Sequence, residues 1–293
     1  MWLGFVAIAL LAALIGWDTR SIVIALLMLP ATLFAFVGLH LNFPIAPQAD
    51  NTLIVATWNV HDEYERLDEL DHAIKRLDPD IFITQEANHR SYREALSGYE
   101  CVTLEGRRIY LRRASLFPAA DATSGRKQGA PLQVLSSREV NLTASWRPAH
   151  ELNIQLGDRQ ISLLDVHLLF CPKGSRRAGL KAHPRSYLKR GVDMRRGQIA
   201  DIATWAGDRD ELFIIAGDFN TPPHIPALSW LRPHATDAFA ARGLGCGLTF
   251  KRNRPLWRID YIWVSPHFRV LRSGTFDSGI SDHLAVWAEL QLP

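Results

Sequence analysis

Two hydrophobic patterns divide the chain. Residues 1–16 and 22–41 are almost continuous apolar runs, and the short polar segment between them is Trp17-Asp18-Thr19-Arg20-Ser21. Runs of this length are close to the minimum that crosses a bilayer as a helix, so they predict a transmembrane hairpin of two helices over residues 1–41. A cleaved signal peptide is an alternative, but no basic segment precedes the first run and no small-residue cleavage site follows it. A hairpin buried in a soluble protein is a further alternative, although soluble helices are rarely so uniformly apolar.

Arg20 sets the predicted topology, because no other Lys or Arg occurs before Arg66. Basic residues favour the cytoplasmic side, so the turn should face the cytoplasm and the rest of the chain should be extracytoplasmic. A single arginine leaves the opposite orientation open. Residues 42–51 contain two prolines and predict a linker. It reaches at most about 35 Å and keeps the following domain near the bilayer.

The pattern changes at residue 52, where apolar runs of strand length begin to alternate with amphipathic helical segments. This alternation predicts an α/β domain over residues 52–293. The predicted strands are residues 52–58, 81–83, 161–169, 212–216, 258–264 and 284–290, and the predicted helices are residues 66–77, 91–97 and 192–205. Residues 106–130 and 174–191 show no such pattern and are expected to be loops that carry specificity.

The amino-acid composition limits the possible architectures and functions. A chain of 293 residues with 47% hydrophobic and 22% charged residues can build one large core plus an appendage. The net charge of +3 gives no argument for nucleic-acid binding. Cys101, Cys171 and Cys246 are odd in number and far apart, so they indicate neither a disulfide framework nor a zinc site.

Polar residues end or follow most of the predicted strands. Asp218 and Asn220 stand two residues apart after an apolar run, so in extended backbone both side chains point the same way and offer oxygens to a cation or a water. Taken alone, this motif is also typical of a turn. Other strands carry comparable residues near one end: Asn59, Glu86, His167, Asp260, Asp282 and His283. Buried polar groups are costly without partners, so their gathering at strand ends predicts one shared functional site.

Six short motifs carry a family resemblance: TWN at 57–59, QE at 85–86, DVHL at 165–168, GDFN at 217–220, RIDYIWVS at 258–265 and SDH at 281–283. In this order they resemble the endonuclease/exonuclease/phosphatase superfamily, which includes deoxyribonuclease I, apurinic endonucleases, bacterial sphingomyelinases and inositol polyphosphate 5-phosphatases. The resemblance implies a four-layered α/β sandwich, in which two packed β-sheets are flanked by helices. It also implies a metal-dependent hydrolytic site at one edge.

The resemblance further implies a metal site. Glu86 would be the principal metal ligand, with Asn59 beside it and Asp282 contributing. Oxygen ligands of this kind suit Mg²⁺ or Mn²⁺ and do not suit zinc.

The same resemblance implies the catalytic roles. Asp218 and Asn220 would position the attacking water and the phosphate. His283 would act as general base or stabilise the charge on the phosphate, and Asp260 would hold its imidazole in one tautomer. His167 would donate to a phosphoryl oxygen.

The substrate stays open between two classes of phosphate compound. The first hypothesis is a membrane-anchored phosphohydrolase or phosphodiesterase that uses activated water on a phosphate ester or diphosphate, such as a lipid-linked phosphate. A tethered nuclease is the second, and a catalytically silent binding protein is the third. DVHL replaces the tyrosine-containing motif of the apurinic endonucleases, which argues against that branch.

A basic stretch supplies a further observation. Residues 171–196 hold nine Lys or Arg and one acid, typical of a solvated face, of a surface for a polyanionic substrate or of one for anionic lipid headgroups. Arg195 and Gln198 also match a family pattern. No protein partner is indicated.

Overall fold

A computed structural model describes residues 20, 23, 39–45, 51–104, 107–112, 132–145, 147–170 and 184–293. The predicted membrane hairpin over residues 1–41 therefore lies outside the described residues, apart from Arg20, Val23 and residues 39–41. Among the residues that are described, no helix combines the length and the apolar character needed to cross a bilayer.

The described chain is built mainly of strands. They are β1 His40–Leu41, β2 Thr52–Asn59, β3 Ile81–Gln85, β4 Tyr99–Leu104, β5 Arg107–Arg112, β6 Leu132–Val140, β7 Ala149–Leu156, β8 Arg159–His167, β9 Leu212–Asp218, β10 Thr236–Asp237, β11 Leu244–Gly245, β12 Asp260–Val264, β13 Arg269–Phe276 and β14 Ala285–Gln291. The helices are α1 Leu67–Leu77, α2 Pro184–Gly207 and α3 Ala238–Arg242, with 3₁₀ turns at Tyr64–Arg66, Arg90–Glu94 and Pro226–Leu231.

Most of these strands form two mixed sheets of six strands each. One sheet has the order β13-β14-β2-β3-β5-β4, and the other has the order β10-β12-β9-β8-β7-β6. Each sheet contains one parallel pair near its centre, β2 with β3 in the first and β8 with β9 in the second. Parallel strands end at the same edge of a sheet, so each pair delivers the residues at its carboxyl ends to one rim.

Three apolar clusters define the layers. The largest lies between the two sheets and contains fully buried side chains from both of them, among which are Val55, Ile83, Leu163 and Ile214. Leu70 and Ile74 of α1 pack on the outer face of the first sheet. α2 buries Ile199 and Ile202 against the outer face of the second sheet. The result is an α/β sandwich of two packed mixed sheets with helices outside, as the sequence predicted.

The predicted elements are present with shifted ends, and some predictions need correction. Residues 106–130 were expected to be a loop, but residues 107–112 form β5 and pair with β3 and β4. Residues 184–191, within the second expected loop, form the first two turns of α2. The remaining parts of both stretches, residue 106 and residues 113–130 and 174–183, lie outside the described residues. The predicted helix at residues 91–97 is a 3₁₀ turn over Arg90–Glu94.

The first part of the predicted linker lies against the domain. β1, just before it, pairs with β11 in antiparallel register. The Asn42 side-chain amide donates to the carbonyl of Ala240 at 2.9 Å, and the backbone N–H of Ile45 donates to the carbonyl of Leu271 at 3.0 Å. Residues 39–45 therefore belong to the surface of the sandwich.

Candidate active site

The residues predicted to share a site lie at one rim of the sandwich. Asn59 ends β2, Glu86 directly follows β3, and His167 ends β8. Asp218 at the end of β9 is the register partner of His167 on one side and of Asp260 on the other. The pairing of the strands thus explains why these side chains meet.

Gly217 allows β9 to approach β8 closely beneath this rim. Its φ of +139° lies in a region that favours glycine, and a Cβ there would lie 1.9 Å from the carbonyl oxygen of Val166. The chain then bends, and Asn220 takes a φ of +47°, which asparagine tolerates better than most residues. The glycine of the GDFN motif is therefore required by the backbone, and the two polar residues after it are placed by that bend.

Asp218 is the centre of the hydrogen-bond network. Its Oδ2 accepts from the Asn59 amide at 3.2 Å and from the Asn220 amide at 3.3 Å, and its Oδ1 accepts from the Asn220 backbone N–H at 2.8 Å. Burial, together with the negative charge of Asp260, raises the pKa of Asp218 to about 7. This carboxyl group can therefore exchange a proton near neutral pH.

Glu86 stands at the open side of the site. Its backbone has a φ of +55°, an unusual conformation for a residue with a long side chain, and strain of this kind concentrates at functional sites. Its Oε1 lies 3.6 Å from His167 Nε2, and its side chain is 29% exposed. Asp62 stabilises the loop that follows, because its Oδ1 accepts from the backbone N–H groups of Asn88 and His89 at 3.1 and 3.2 Å.

A hydrogen bond from Arg147 fixes the tautomer of His167. Arg147 approaches His167 Nδ1 at 3.1 Å, and because a guanidinium group can only donate, Nδ1 must accept. Burial and the positive charges of Arg107 and Arg147 hold the pKa of His167 well below its usual value, so the ring is neutral. Its one proton is therefore on Nε2, which lies 3.7 Å from Asp218 Oδ2.

His283 and Asp260 form the second half of the site. His283 Nδ1 lies 2.9 Å from Asp260 Oδ2, and the His283 ring lies 4.8 Å from that of Phe250. Burial alone would lower the pKa of His283, but the charge and hydrogen bond of Asp260 outweigh it and raise the pKa to about 10. His283 is therefore charged at neutral pH, which favours the stabilisation of phosphate charge over action as a general base.

Asp282 adds an unused carboxylate oxygen beside His283. Its backbone carbonyl accepts from the N–H of Arg252 at 2.7 Å, which fixes the position of the residue. Its Oδ1 is buried and has no hydrogen-bond partner among the described residues. The negative charge of Asp282 also contributes to the raised pKa of His283.

The donor set fits a hard divalent cation at two neighbouring positions. Ligand atoms of Asp218, Asp260 and His283 lie within 4.8 Å of one another and could hold an ion. The hydrogen bond between His283 Nδ1 and Asp260 Oδ2 leaves Asp260 Oδ1, which is buried and has no hydrogen-bond partner among the described residues, as the oxygen that Asp260 could offer. Glu86 is more open, and the buried Asp282 Oδ1 lacks a partner in the described part of the chain. Carboxylate oxygens suit Mg²⁺-type ions, whereas the charged imidazole of His283 cannot act as a ligand, so we favour the Glu86 position.

A buried charge network lies below the rim, and no sequence pattern predicts it. Arg107 donates to the Asp165 carbonyl at 2.8 Å and lies 3.4 Å from Asp165 Oδ2, and Gln85 donates to Asp165 Oδ1 at 2.9 Å. Gln85 and Arg107 belong to one sheet and Asp165 to the other, so the network joins the sheets two residues before His167. Arg147 was missed as well, because it lies in a connection with no periodic pattern.

Arg195 and Gln198 anchor the segment that follows His167. Arg195 donates to the carbonyl of Leu169 at 3.2 Å, and the Gln198 side-chain oxygen accepts from the N–H of Leu169 at 3.2 Å. Much of the basic stretch, residues 171–183, lies outside the described residues.

Comparisons with known proteins agree with this geometry. A sequence profile described as the Endonuclease/Exonuclease/phosphatase family matches residues 56–283. No curated protein sequence gives a significant match. Truncated TDP2 from Caenorhabditis elegans superposes with a TM-score of 0.60 at 17% identity, covering 82% of this chain and 98% of that one.

Two further solved structures are similar to this chain. The endonuclease/exonuclease/phosphatase from Bacteroides vulgatus has a TM-score of 0.60 at 17% identity and covers 83% of this chain and 99% of its own. D. rerio TDP2, solved in complex with a single-strand DNA product, has a TM-score of 0.58 at 14% identity and covers 82% of this chain and 99% of its own. At this level of identity the structures show that the fold is shared.

Proposed function

Because the chain belongs to the endonuclease/exonuclease/phosphatase family, whose members are metal-dependent hydrolases of phosphate ester bonds, we propose that it hydrolyses a membrane-associated phosphate ester or diphosphate. The observation that carries the proposal is the position of His167 Nε2, 3.6 Å from Glu86 and 3.7 Å from Asp218. The His283–Asp260 pair lies next to this group. A proton acceptor, Asp218, a neutral hydrogen-bond donor, His167, and a charged imidazole, His283, thus lie together where a phosphate could bind.

Mg²⁺ or Mn²⁺ is the proposed cofactor. Glu86 would hold the ion, with the Asn59 side-chain oxygen and Asp282 contributing. When bound, such an ion polarises the phosphoryl oxygens and increases the acidity of water. The buried, unpartnered Asp282 Oδ1 supports this assignment within the described residues.

Asp218 is the proposed acceptor of the proton from the attacking water. Its pKa of about 7 keeps a substantial fraction ionised at neutral pH, and the amides of Asn59 and Asn220 hold its carboxylate in one orientation. His283, charged and fixed by Asp260, would stabilise the negative charge of the phosphate.

His167 is the proposed donor to a phosphoryl oxygen. Its Nε2 carries the proton because Arg147 occupies Nδ1, so the donor already faces the site before the substrate binds. Hydrogen bonds prepared in this way stabilise charge that develops in an in-line displacement.

Membrane attachment is the second part of the proposal. Its support is the pair of apolar runs over residues 1–41, and Arg20 between them favours a catalytic domain outside the cytoplasm. A C-terminal fusion to a reporter that is active only outside the cytoplasm tests this topology. We expect this reporter to be active. If instead only a reporter that works in the cytoplasm is active, the topology is the opposite of the one proposed.

A tethered nuclease is the second candidate function. Its support is the structural likeness to D. rerio TDP2, which was solved with a single-strand DNA product, and the basic character of α2. Arg185, Arg190 and Arg196 on this helix could contact phosphates, whereas Lys189 already pairs with Asp193 at 2.6 Å.

The test is product release by the purified full chain in detergent micelles, with Mg²⁺ or with a chelator. The substrates are a prenyl diphosphate, a phospholipid and plasmid DNA, and Glu86→Ala is the control variant. Metal-dependent release from the lipid phosphates, lost in Glu86→Ala, is expected. Cleavage of plasmid DNA alone would make the chain a nuclease, and silence on every substrate would favour a binding protein.

A further inference from the structure

Three exposed apolar side chains lie on or beside the strand pair β1–β11. Leu41, Phe43 and Leu244 are 69%, 82% and 68% exposed. Leu41 and Leu244 are register partners across β1 and β11, and Phe43 follows two residues after Leu41. We call this group the apolar edge. Clustered apolar side chains, unlike single ones, indicate a surface that is covered by something else.

The local structure holds these side chains outward. The His40 ring packs edge-on against Phe239 at 5.8 Å, and because neighbouring residues in a strand face opposite ways, Leu41 points to the other side. The Asn42 amide is bound to the carbonyl of Ala240, which fixes the chain just before Phe43. The apolar edge is therefore a formed part of the domain surface.

The sequence next to the apolar edge indicates what covers this surface. Residues 24–38, which lie outside the described residues, belong to the second apolar run, and that run ends at Leu41 within the apolar edge itself. The step from residue 39 to Leu41 spans at most about 7 Å. A protein partner is a poorer fit, because a stable protein interface uses about 20–30 residues on each side.

We propose that the apolar edge lies in the interfacial layer of the bilayer that holds the predicted hairpin, so that the catalytic domain contacts the membrane directly. This inference rests on the membrane attachment proposed above. It adds a second contact, which fixes the orientation of the domain as well as its distance from the bilayer.

Chain connectivity sets an upper limit on the distance between the apolar edge and the site. Phe250 follows Leu244 by about six residues, so the two lie at most about 21 Å apart. The Phe250 ring in turn lies 4.8 Å from the His283 ring. This upper limit is compatible with the substrate proposed above, a phosphate carried by a lipid at the membrane surface.

Photo-crosslinking of the full chain in phospholipid vesicles tests the inference. The photoreactive residue p-benzoylphenylalanine replaces Phe43 or Leu244 in separate variants. Leu135, 48% exposed on β6 at the far edge of the second sheet, is the control position. Mass spectrometry of the adducts separates attached lipid from an attached second chain, and an alkaline wash of the vesicles reports whether the chain stays in the membrane.

Lipid adducts at positions 43 and 244, several-fold above those at position 135, are expected. If the chain stays in washed vesicles but these positions give no more lipid adduct than position 135, the inference is wrong while the membrane anchor stands. If the crosslinks join two copies of the chain and contain no lipid, the apolar edge is a dimer interface and the inference is wrong. Loss of the chain from washed vesicles would overturn both the anchor and this inference, whatever the hydrolytic activity.

Discussion

At the scale of single residues, one arginine determines how His167 can act. Arg147 donates to Nδ1, so the neutral ring presents Nε2–H toward Glu86 and Asp218. Without this donor, the ring can carry its proton on either nitrogen, and the population with a useful donor falls. Arg147 is thus a positioning residue whose effect is transmitted through His167.

Arg147→Met is expected to lower kcat by roughly tenfold to a hundredfold, less than the roughly hundredfold to thousandfold cost of removing a donor outright, because His167 itself remains. Arg147→Lys keeps a donor and should restore part of the loss. Nitrogen NMR of His167 should show the Nε2–H tautomer in the unmodified chain and a mixture in Arg147→Met. A fully retained tautomer together with unchanged kcat would refute the role of Arg147.

His150 makes stability depend on pH. It is 2% exposed, faces Asp165 and Glu139 as register partners, and its Nδ1 has no hydrogen-bond partner among the described residues. Burial and the positive charge of Arg107 lower its pKa from 6.5 to about 4. The unfolded chain therefore binds more protons than the folded chain between these values, so stability falls as the pH drops from about 6.5 to about 4.

The expected loss attributable to this histidine over that interval is about 2–3 kcal/mol. Urea unfolding of the full chain in micelles at about pH 7 and about pH 4.5, compared with His150→Gln, isolates it from the carboxylates. The glutamine variant should lose less stability on acidification. Equal pH dependence in both proteins would show that His150 is not buried in its neutral form.

At the scale of elements, the close contact of β8 and β9 restricts the sequence most strongly, because it excludes a side chain at position 217. Any side chain at position 217 would collide with the Val166 carbonyl, which is backbone and cannot rotate away. Gly217→Ala is therefore expected to cost about 3 kcal/mol or more and to displace Asp218.

Gly245→Ala is the matched control, because Gly245 also has a positive φ, of +90°, but no atom lies within 4 Å of its added Cβ. It should cost only about 1 kcal/mol, from backbone strain. Thermal unfolding of both variants gives the comparison. Equal costs would mean that β8 can move aside.

The same scale explains what the sequence could and could not predict. The strands that carry the site are continuous apolar runs ending in a polar residue, so β2, β3, β8, β9 and β12 were recognisable. β6 was missed because its residues 133–139 are all exposed, so no face of the strand is marked by buried apolar side chains. β5 was missed because it begins with two arginines, Arg107 and Arg108, that are nevertheless buried.

The candidate site was likewise predictable only in part from the sequence. The six motifs led to the correct family and to residues that the structure brings to one rim. The partners Arg147 and Arg107 could not be predicted, because tertiary contacts alone bring them to their positions. Asp62 is close to Asn59 in sequence, but its role depends on a tertiary contact with the loop at Asn88 and His89. The charged state of His283 also depends on the charge and hydrogen bond of Asp260, and spacing along the chain does not reveal this contact.

At the scale of the whole molecule, the site exists only where the two sheets meet. Asn59 on one sheet donates to Asp218 on the other at 3.2 Å, and Gln85 donates to Asp165 across the same interface at 2.9 Å. Neither sheet alone carries both the proposed metal carboxylate, Glu86, and the proton acceptor, Asp218. Packing of the sheets is therefore a condition for catalysis as well as for stability.

The most direct test of this account is Mn²⁺ binding to the full chain in micelles, followed by electron paramagnetic resonance. Glu86 is the principal ligand of the proposed metal site, so Glu86→Gln should weaken binding at least about tenfold. Asp260→Asn should weaken it far less, because it alters the partner of His283. Unchanged binding in Glu86→Gln, with binding lost in Asp260→Asn, would contradict the account and place the ion among Asp218, Asp260 and His283.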